Sequence, residues 1–307
     1  MISVIASDPI LTTSVEEKPP WYIFGYGSLL SSASRIKSDC GLQGLQEDQI
    51  EWFLTNFNVD AAFNKDKAEC IKDKQRKQYI PCKIHGYRRG WYARGTLPQS
   101  NVPQNDLFIR PTYLGIVRDV RYNATGVVYP VTETELNKTD ERETGGDYVF
   151  STLSKSDLTL YTDFNIPDNA KIRVYYSNRT RGPTKVYPVV QSYVDVFLGG
   201  AIEIEEKSPE AKEHNFALST CQQTYGWNGE WLNDRPYPRH RAKYSSIRAD
   251  KIDKLLHRCI QKNESNGSYI NVLYDETVEN YNPYSPLTSE VISNIKFPCS
   301  CNIQISN

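Results

Sequence analysis

The stretch Trp21-Tyr-Ile-Phe-Gly-Tyr-Gly-Ser-Leu-Leu30 decides how this chain is read. Aromatic and β-branched residues follow one another without a charge, which is the composition of a strand. The run ends in Gly25-Tyr26-Gly27-Ser28, where two glycines flank a tyrosine. Glycine takes backbone angles that other residues avoid and lets a second group come close to the amides. A strand entering such a turn can present successive N–H groups to a carboxylate or phosphate. It can equally be an ordinary strand and tight turn, so the rest of the chain must distinguish the two.

On the N-terminal side, residues 1–19 are polar and lead into Pro19-Pro20, which reads as a loosely held tail. On the C-terminal side, Leu45, Ile50, Phe53, Leu54 and Phe57 share one side of an amphipathic helix over 45–57. Residues 58–78 are rich in charge and read as a solvated loop or surface helix. Ile80, Cys82 and Ile84 then alternate with Pro81, Lys83 and His85 in a half-buried strand. Thr112–Val117 and Thr125–Tyr129 read as two short strands with Asn123 in the link between them.

The segment after them carries the most chemistry. Thr132 and Glu135 have the spacing of a capping box, which starts a helix reaching about Glu143 and stopping at Gly145-Gly146. Leu136, Asp140 and Glu143 fall at i, i+4 and i+7 and share a face. Leu136 turns that face inward, so both carboxylates lie at the edge of the core or inside it. Burial and the negative end of the helix dipole both push the pKa of Glu143 upward, toward that of a general base. The alternative is a surface pair between Glu143 and Arg142 or a lysine.

Beyond it, Tyr148, Phe150 and Thr152 alternate in a strand, and Ile172, Val174 and Tyr176 line one face of another. Pro188 opens a helix with Val190, Val194, Phe197, Leu198 and Ala201 inside and Gln191, Asp195 and Glu203 more exposed. Tyr193 lies in its first turn, as either a core tyrosine or a pocket residue. Past residue 204 the chain becomes a mostly helical extension, 204–307, packed on the main domain. It has helices from Ser208 through about Thr220 and near 246–261, and the irregular run Tyr225–Arg239 between them. The aromatic and arginine residues of that run either cover a pocket mouth or fold back on pairs made by Asp234 and Arg235.

The totals narrow the function classes. Thirty-six Lys and Arg balance 37 Asp and Glu, which gives no reason to expect a nucleic-acid or membrane-surface partner. No apolar run approaches the roughly 20 residues that span a bilayer, and the short run Ile2–Ala6 does not resemble a signal peptide. Seven scattered cysteines include no CxxC pair, which reads as reduced thiols in a cytoplasmic protein. The four histidines lack metal-ligand spacing, so neither a metal nor a cofactor is expected. Asn123, Asn137, Asn178, Asn263 and Asn266 begin glycosylation sequons, read as chance matches in the absence of a secretory route.

Several of these pieces coincide with a known family. Tyr22-Ile-Phe-Gly-Tyr-Gly-Ser-Leu29 resembles the signature loop of the γ-glutamylcyclotransferase-like superfamily, in particular its ChaC-like and AIG2-like branch. Lys83-Ile-His-Gly-Tyr-Arg-Arg-Gly-Trp91, Thr125-Gly-Val-Val-Tyr129, Asp140-Glu-Arg-Glu143 with Gly145-Gly-Asp-Tyr148, and Gln191-Ser-Tyr193 with Gly199-Gly200-Ala201 resemble its later blocks, in the same order. The resemblance covers about residues 20–203. It implies an α+β fold, a small mixed β-barrel flanked by helices. It also implies a γ-glutamyl substrate whose α-carboxylate and amine are held by Gly25, Tyr26, Gly27, Ser28 and Leu29, with Tyr148 and Tyr193 in the binding site and Glu143 as general base.

The implied reaction is an intramolecular acyl transfer. The substrate's α-amine attacks its own γ-carbonyl, forms 5-oxoproline and expels an amine, so neither a protein nucleophile nor a metal is required. Ser28 stands in Gly-Tyr-Gly-Ser-Leu-Leu, which is not the G-x-S-x-G of a serine hydrolase elbow. Two other readings share the site: a γ-glutamyl-binding module without turnover, and an enzyme cleaving another γ-glutamyl-tagged amide.

Overall fold

A computed structural model describes residues 19–42, 45, 47–56, 58–95, 110–144, 148–227, 230–235, 248–263 and 271–274. Most of the N-terminal tail, Phe57, the glycines at 145 and 146, residues 236–247 and the residues after 274 lie outside them. Strand β1 (Trp21–Gly25) runs into a short 3-10 helix (Gly27–Leu30) and α1 (Ser32–Asp39), followed by α2 (Glu47–Asn56), α3 (Val59–Ala62) and α4 (Lys65–Arg76). Strands β2 (Ile80–Arg94) and β3 (Thr112–Val131) precede α5 (Glu133–Thr144), β4 (Tyr148–Leu153), β5 (Leu158–Leu160) and β6 (Lys171–Ser177). The chain continues through β7 (Val189–Val190), α6 (Gln191–Lys207), α7 (Pro209–Glu213), α8 (Phe216–Gln222), β8 (Thr224–Tyr225), β9 (Glu230–Asn233), α9 (Ala249–Asn263) and β10 (Asn271–Tyr274).

The strands belong to one ten-stranded mixed sheet, so the fold is α+β. Part of that sheet runs β5-β2-β3-β1-β6-β4, with β1 antiparallel to β3 and parallel to β6. A flat sheet would put β4 and β5 five strand spacings apart, roughly 24 Å. The chain from Leu153 to Leu158 takes only five steps, which reach at most about 18 Å. The six strands must therefore curl toward a barrel, although the described pairings do not close it.

The curl separates two cores. Tyr22, Phe24, Ile80, Cys82, Ile84, Val128, Ile172 and Val174 fill the concave side. The alternate residues Ile23, Val127, Tyr129 and Tyr175 face outward into a larger cluster with Phe197, Phe216, Trp231 and Ile252, where α5, α6, α8 and α9 contribute. Strands buried on both faces need no polar alternation, which accounts for the charge-free Trp21–Gly25 run. A third cluster joins α1, α2 and α4 through Ile36, Ile50 and Ile71.

Several expectations change. Thr112–Val117 and Thr125–Tyr129 are parts of one 20-residue strand. Its pairing with β2 shifts register between His85 and Tyr87, and Gly86 there has φ +75°. Pro188 precedes the two-residue strand β7, and the helix begins only at Gln191. Helix 208–220 breaks at Asn215, whose φ is +48°.

Gln191, Asp195 and Glu203 are buried, because partners distant in sequence satisfy them. The Trp231 indole donates to Gln191, Arg235 grips Asp195 at 2.8 Å, and the Ser32 amide and hydroxyl donate to Glu203 at the start of α1. Asp234 accepts from the Ser192 amide and hydroxyl at 2.8 and 2.7 Å, and Arg235 also pairs with Asp253. This part of the irregular run thus folds back onto α6 and α9.

The reduced-thiol reading fails, and with it the ground for a cytoplasmic assignment. Cys40 is bonded to Cys70, and Cys221 to Cys259. Among the described residues only Cys82 is free, and it is buried. No helix among the described residues is long and apolar enough to cross a membrane.

Candidate functional site

The turn after β1 is fixed from three sides. Gly27 has φ +61°, a conformation that costs L-residues energy, and a Cβ built there would lie 2.8 Å from the Tyr193 hydroxyl. Gly200 of α6 lies against the backbone of the turn, where a Cβ would fall 2.4 Å from the Ser31 nitrogen. The buried Arg35 of α1 donates from its guanidinium to the Leu29 carbonyl.

Tyrosines from three elements meet at this turn. The Tyr26 hydroxyl donates to the Tyr175 carbonyl at 2.8 Å. The Tyr148 hydroxyl donates to the Leu114 carbonyl at 2.6 Å. The Tyr193 hydroxyl receives the Leu114 and Ser28 amides, and its ring meets Tyr113 and Trp91 edge-on with centroids 4.9 and 5.9 Å apart. Burial is the main cause that pushes all three hydroxyls up, so they stay protonated and can donate hydrogen bonds.

The negative charge of Glu143 adds to that upward push at Tyr26, Tyr148 and Tyr193, and also at Tyr175. The charge carried at the end of α5 thus reaches tyrosine hydroxyls from the turn, β4, β6 and α6. Its helix starts as expected: the Thr132 amide donates to Glu135 at 2.8 Å, and the Glu135 amide donates to the Thr132 hydroxyl at 3.3 Å. The buried Leu136 docks the helix on the outer core.

Asp140, one turn before Glu143, accepts from the Tyr175 hydroxyl at 2.7 Å and pairs with Arg173 at 3.2 Å. Glu143 itself takes the Arg142 guanidinium at 2.9 and 2.5 Å, and its side chain keeps 18% exposure. The pair named as the alternative thus exists.

Tyr148 and Tyr193 accordingly meet the turn Gly25, Tyr26, Gly27, Ser28 and Leu29, and Glu143 is near enough for its charge to reach the hydroxyls of Tyr26, Tyr148 and Tyr193. The loop amides are less available than the sequence suggests. The Ser28 amide serves Tyr193, and the Leu29 amide returns to the Tyr26 carbonyl at 3.2 Å.

Sequence reasoning missed Arg173, Tyr175 and Arg89. The first two were legible, because placing Ile172, Val174 and Tyr176 on one face of β6 leaves Arg173 and Tyr175 on the other. Arg89 was not. It is fully buried, and among the described residues its guanidinium donates to the Thr125 and Thr220 carbonyls and the Thr125 and Thr224 hydroxyls. Burial lowers its pKa to about 9, and its charge reaches Tyr26 and Tyr193.

Beside the site, Asp39, Cys70, Lys74, Glu135, Lys138 and Arg142 line a cleft of about 210 Å³. Its charges are largely paired: Lys74 bonds Asp39 and Glu135, and Lys77 reaches Glu135 at 2.6 Å.

No family model matches the chain, and no curated protein does. Among solved structures it is similar to a γ-glutamyl cyclotransferase at 13% identity and a TM-score of 0.35, over 63% of this chain and 85% of that one. It is similar to a yeast γ-glutamyl cyclotransferase specific to glutathione at 11% identity and a TM-score of 0.33, over 79% and 96%. An uncharacterised human protein aligns at 12% identity and a TM-score of 0.34, over 89% and 95%.

Proposed function

We propose that this protein is a γ-glutamyl cyclotransferase, with Glu143 as general base and the Gly25–Leu29 turn holding the amino-acid end of the substrate. What supports the reading is that the charge of Glu143 reaches the hydroxyls of Tyr26, Tyr148 and Tyr193 at that turn, in residues whose sequence blocks resemble the family. Residues 20–203 are assigned the chemistry and 204–307 are the extension.

The substrate's α-ammonium must lose a proton before its nitrogen can attack the γ-carbonyl. Glu143 accepts that proton and returns one to the departing amine, a role typically worth about 10²–10⁴ in rate. The new C–N bond closes 5-oxoproline as the old amide C–N bond breaks. The protonated Tyr193 hydroxyl, which accepts rather than donates at the Leu114 and Ser28 amides, opposes the negative charge that develops on the carbonyl oxygen, a contribution of about 10²–10³ per donor. A substrate carboxylate that engages the Ser28 amide takes the place of the Tyr193 hydroxyl and frees that hydroxyl to turn toward the ligand.

The experiment is a panel of γ-glutamyl compounds, glutathione included, assayed for released 5-oxoproline. Release from at least one member is the expected result, and no product from any member rejects the reading. The Arg142–Glu143 pair favours a second reading, a γ-glutamyl-binding module in which the neutralised carboxylate no longer moves protons. Saturable binding without product over hours distinguishes it.

A further inference from the structure

Four of the five cysteines among the described residues are joined in two bridges, and the fifth, Cys82, is buried in the concave core. Cys40–Cys70 ties the end of α1 to α4, and Cys221–Cys259 ties α8 to α9. Structural disulfides form and persist in oxidising compartments and are rare where thiols are kept reduced.

The sequons give an independent observation. Asn123-Ala-Thr, Asn137-Lys-Thr and Asn178-Arg-Thr each carry threonine at the third position and no proline between. All three asparagines are exposed, and they lie on separate elements. Asn123 is on β3 beside the register shift, Asn137 on α5 next to the inward Leu136, and Asn178 directly after β6. The Asn123 carbonyl oxygen accepts from His85 Nδ1 at 3.1 Å, a bond that does not use Nδ2, the atom a glycan is attached to. None of the three belongs to the site, whose side of α5 carries Leu136, Asp140 and Glu143.

We propose that this chain matures in an oxidising secretory compartment, with both disulfides closed and an N-linked glycan on one or more of Asn123, Asn137 and Asn178. In each glycosylation the Asn Nδ2 bonds to the anomeric carbon of a lipid-pyrophosphate-linked oligosaccharide. The anomeric C–O bond breaks, the lipid pyrophosphate leaves, and the nitrogen gives up a proton. In each bridge two thiols lose two protons and two electrons to a protein disulfide oxidant, which becomes a dithiol. The proposal does not depend on the cyclotransferase reading. If both hold, the γ-glutamyl compound is one found outside the reducing cytosol.

The test uses full-length protein isolated from the cells that make it, with free thiols blocked by iodoacetamide before any reduction. Peptide N-glycanase in heavy-oxygen water converts a glycosylated asparagine to isotopically heavy aspartate, read by peptide mass spectrometry. Heavy aspartate at one or more of positions 123, 137 and 178, together with disulfide-linked peptides for both pairs, is the expected result. Unlabelled asparagine at all three positions, or alkylated thiols at Cys40, Cys70, Cys221 or Cys259, overturns the proposal. As a second measurement, the combined N123Q, N137Q and N178Q variant should lose the glycanase-sensitive shift in gel mobility attributable to these sites, and an unchanged shift counts against them.

Discussion

Replacing Gly27 by alanine probes how the turn and α6 fit together. With φ at +61°, an L-residue at this position meets the left-handed penalty, about 1–2 kcal/mol. The new Cβ would also lie 2.8 Å from the Tyr193 hydroxyl, closer than real Cβ contacts. The hydroxyl must move away from the Leu114 and Ser28 amides, and two hydrogen bonds at about 0.5–1.5 kcal/mol each add about 1–3 kcal/mol. The expected loss in urea unfolding followed by tryptophan fluorescence is therefore about 2–5 kcal/mol. Gly41 is the control: its φ is +65° and nothing lies within 4 Å of a built Cβ, so Gly41→Ala should cost only about 1–2 kcal/mol. Tyr193→Phe removes the hydroxyl and both bonds. The double variant with Gly27→Ala should then fall short of the summed single effects by about 1–3 kcal/mol, because both changes lose the same bonds. Equal costs at Gly27 and Gly41, with additivity within about 0.5 kcal/mol, would show that the Tyr193 hydroxyl is not seated on Gly27.

Two further outcomes follow from the same structure. The bridges close loops of 30 and 38 residues, worth about 4 kcal/mol each in the chain-entropy view; reduction by dithiothreitol should lower unfolding stability by about 2–4 kcal/mol per bridge, and an unchanged urea midpoint would contradict it. Burial works to raise the Glu135 carboxyl, but hydrogen bonds from Lys74, Lys77 and the Thr132 amide outweigh it and hold it at about 2, below its ordinary 4.5. Because the folded value is the lower one, the stabilisation is present above about pH 4.5 and is lost as pH falls through about 2. Glu135→Gln should flatten that acid limb in pH-dependent unfolding, and an identical limb would show that these contacts do not set it.

Local chemistry made much of the fold and half of the site readable. The Thr132–Glu135 box and the inward Leu136 depend on residues within a few positions of each other, and the structure has both. Gln191, Asp195 and Glu203 were misplaced because their burial depends on Trp231, Arg235 and Ser32, which helix periodicity cannot reveal. Cysteine spacing alone likewise does not tell which thiols meet. The two-residue strands β7 and β8 carry too few positions for alternation to register. At the site, the sequence supplied the glycine turn, the acid on α5 and the tyrosines. The seating of Tyr193 on Gly27 and the fully buried Arg89 exist only once distant segments are packed together.

The central claim is that Glu143 and the Gly25–Leu29 turn work as one site. Its most direct measurement compares wild type with Glu143→Gln, both assayed for 5-oxoproline release and for γ-glutamyl-ligand affinity by calorimetry. Turnover should fall about 10²–10⁴-fold in the variant, with ligand affinity within about tenfold of wild type, because the turn still holds the ligand and only the proton acceptor is gone. Equal turnover in the two proteins would contradict it.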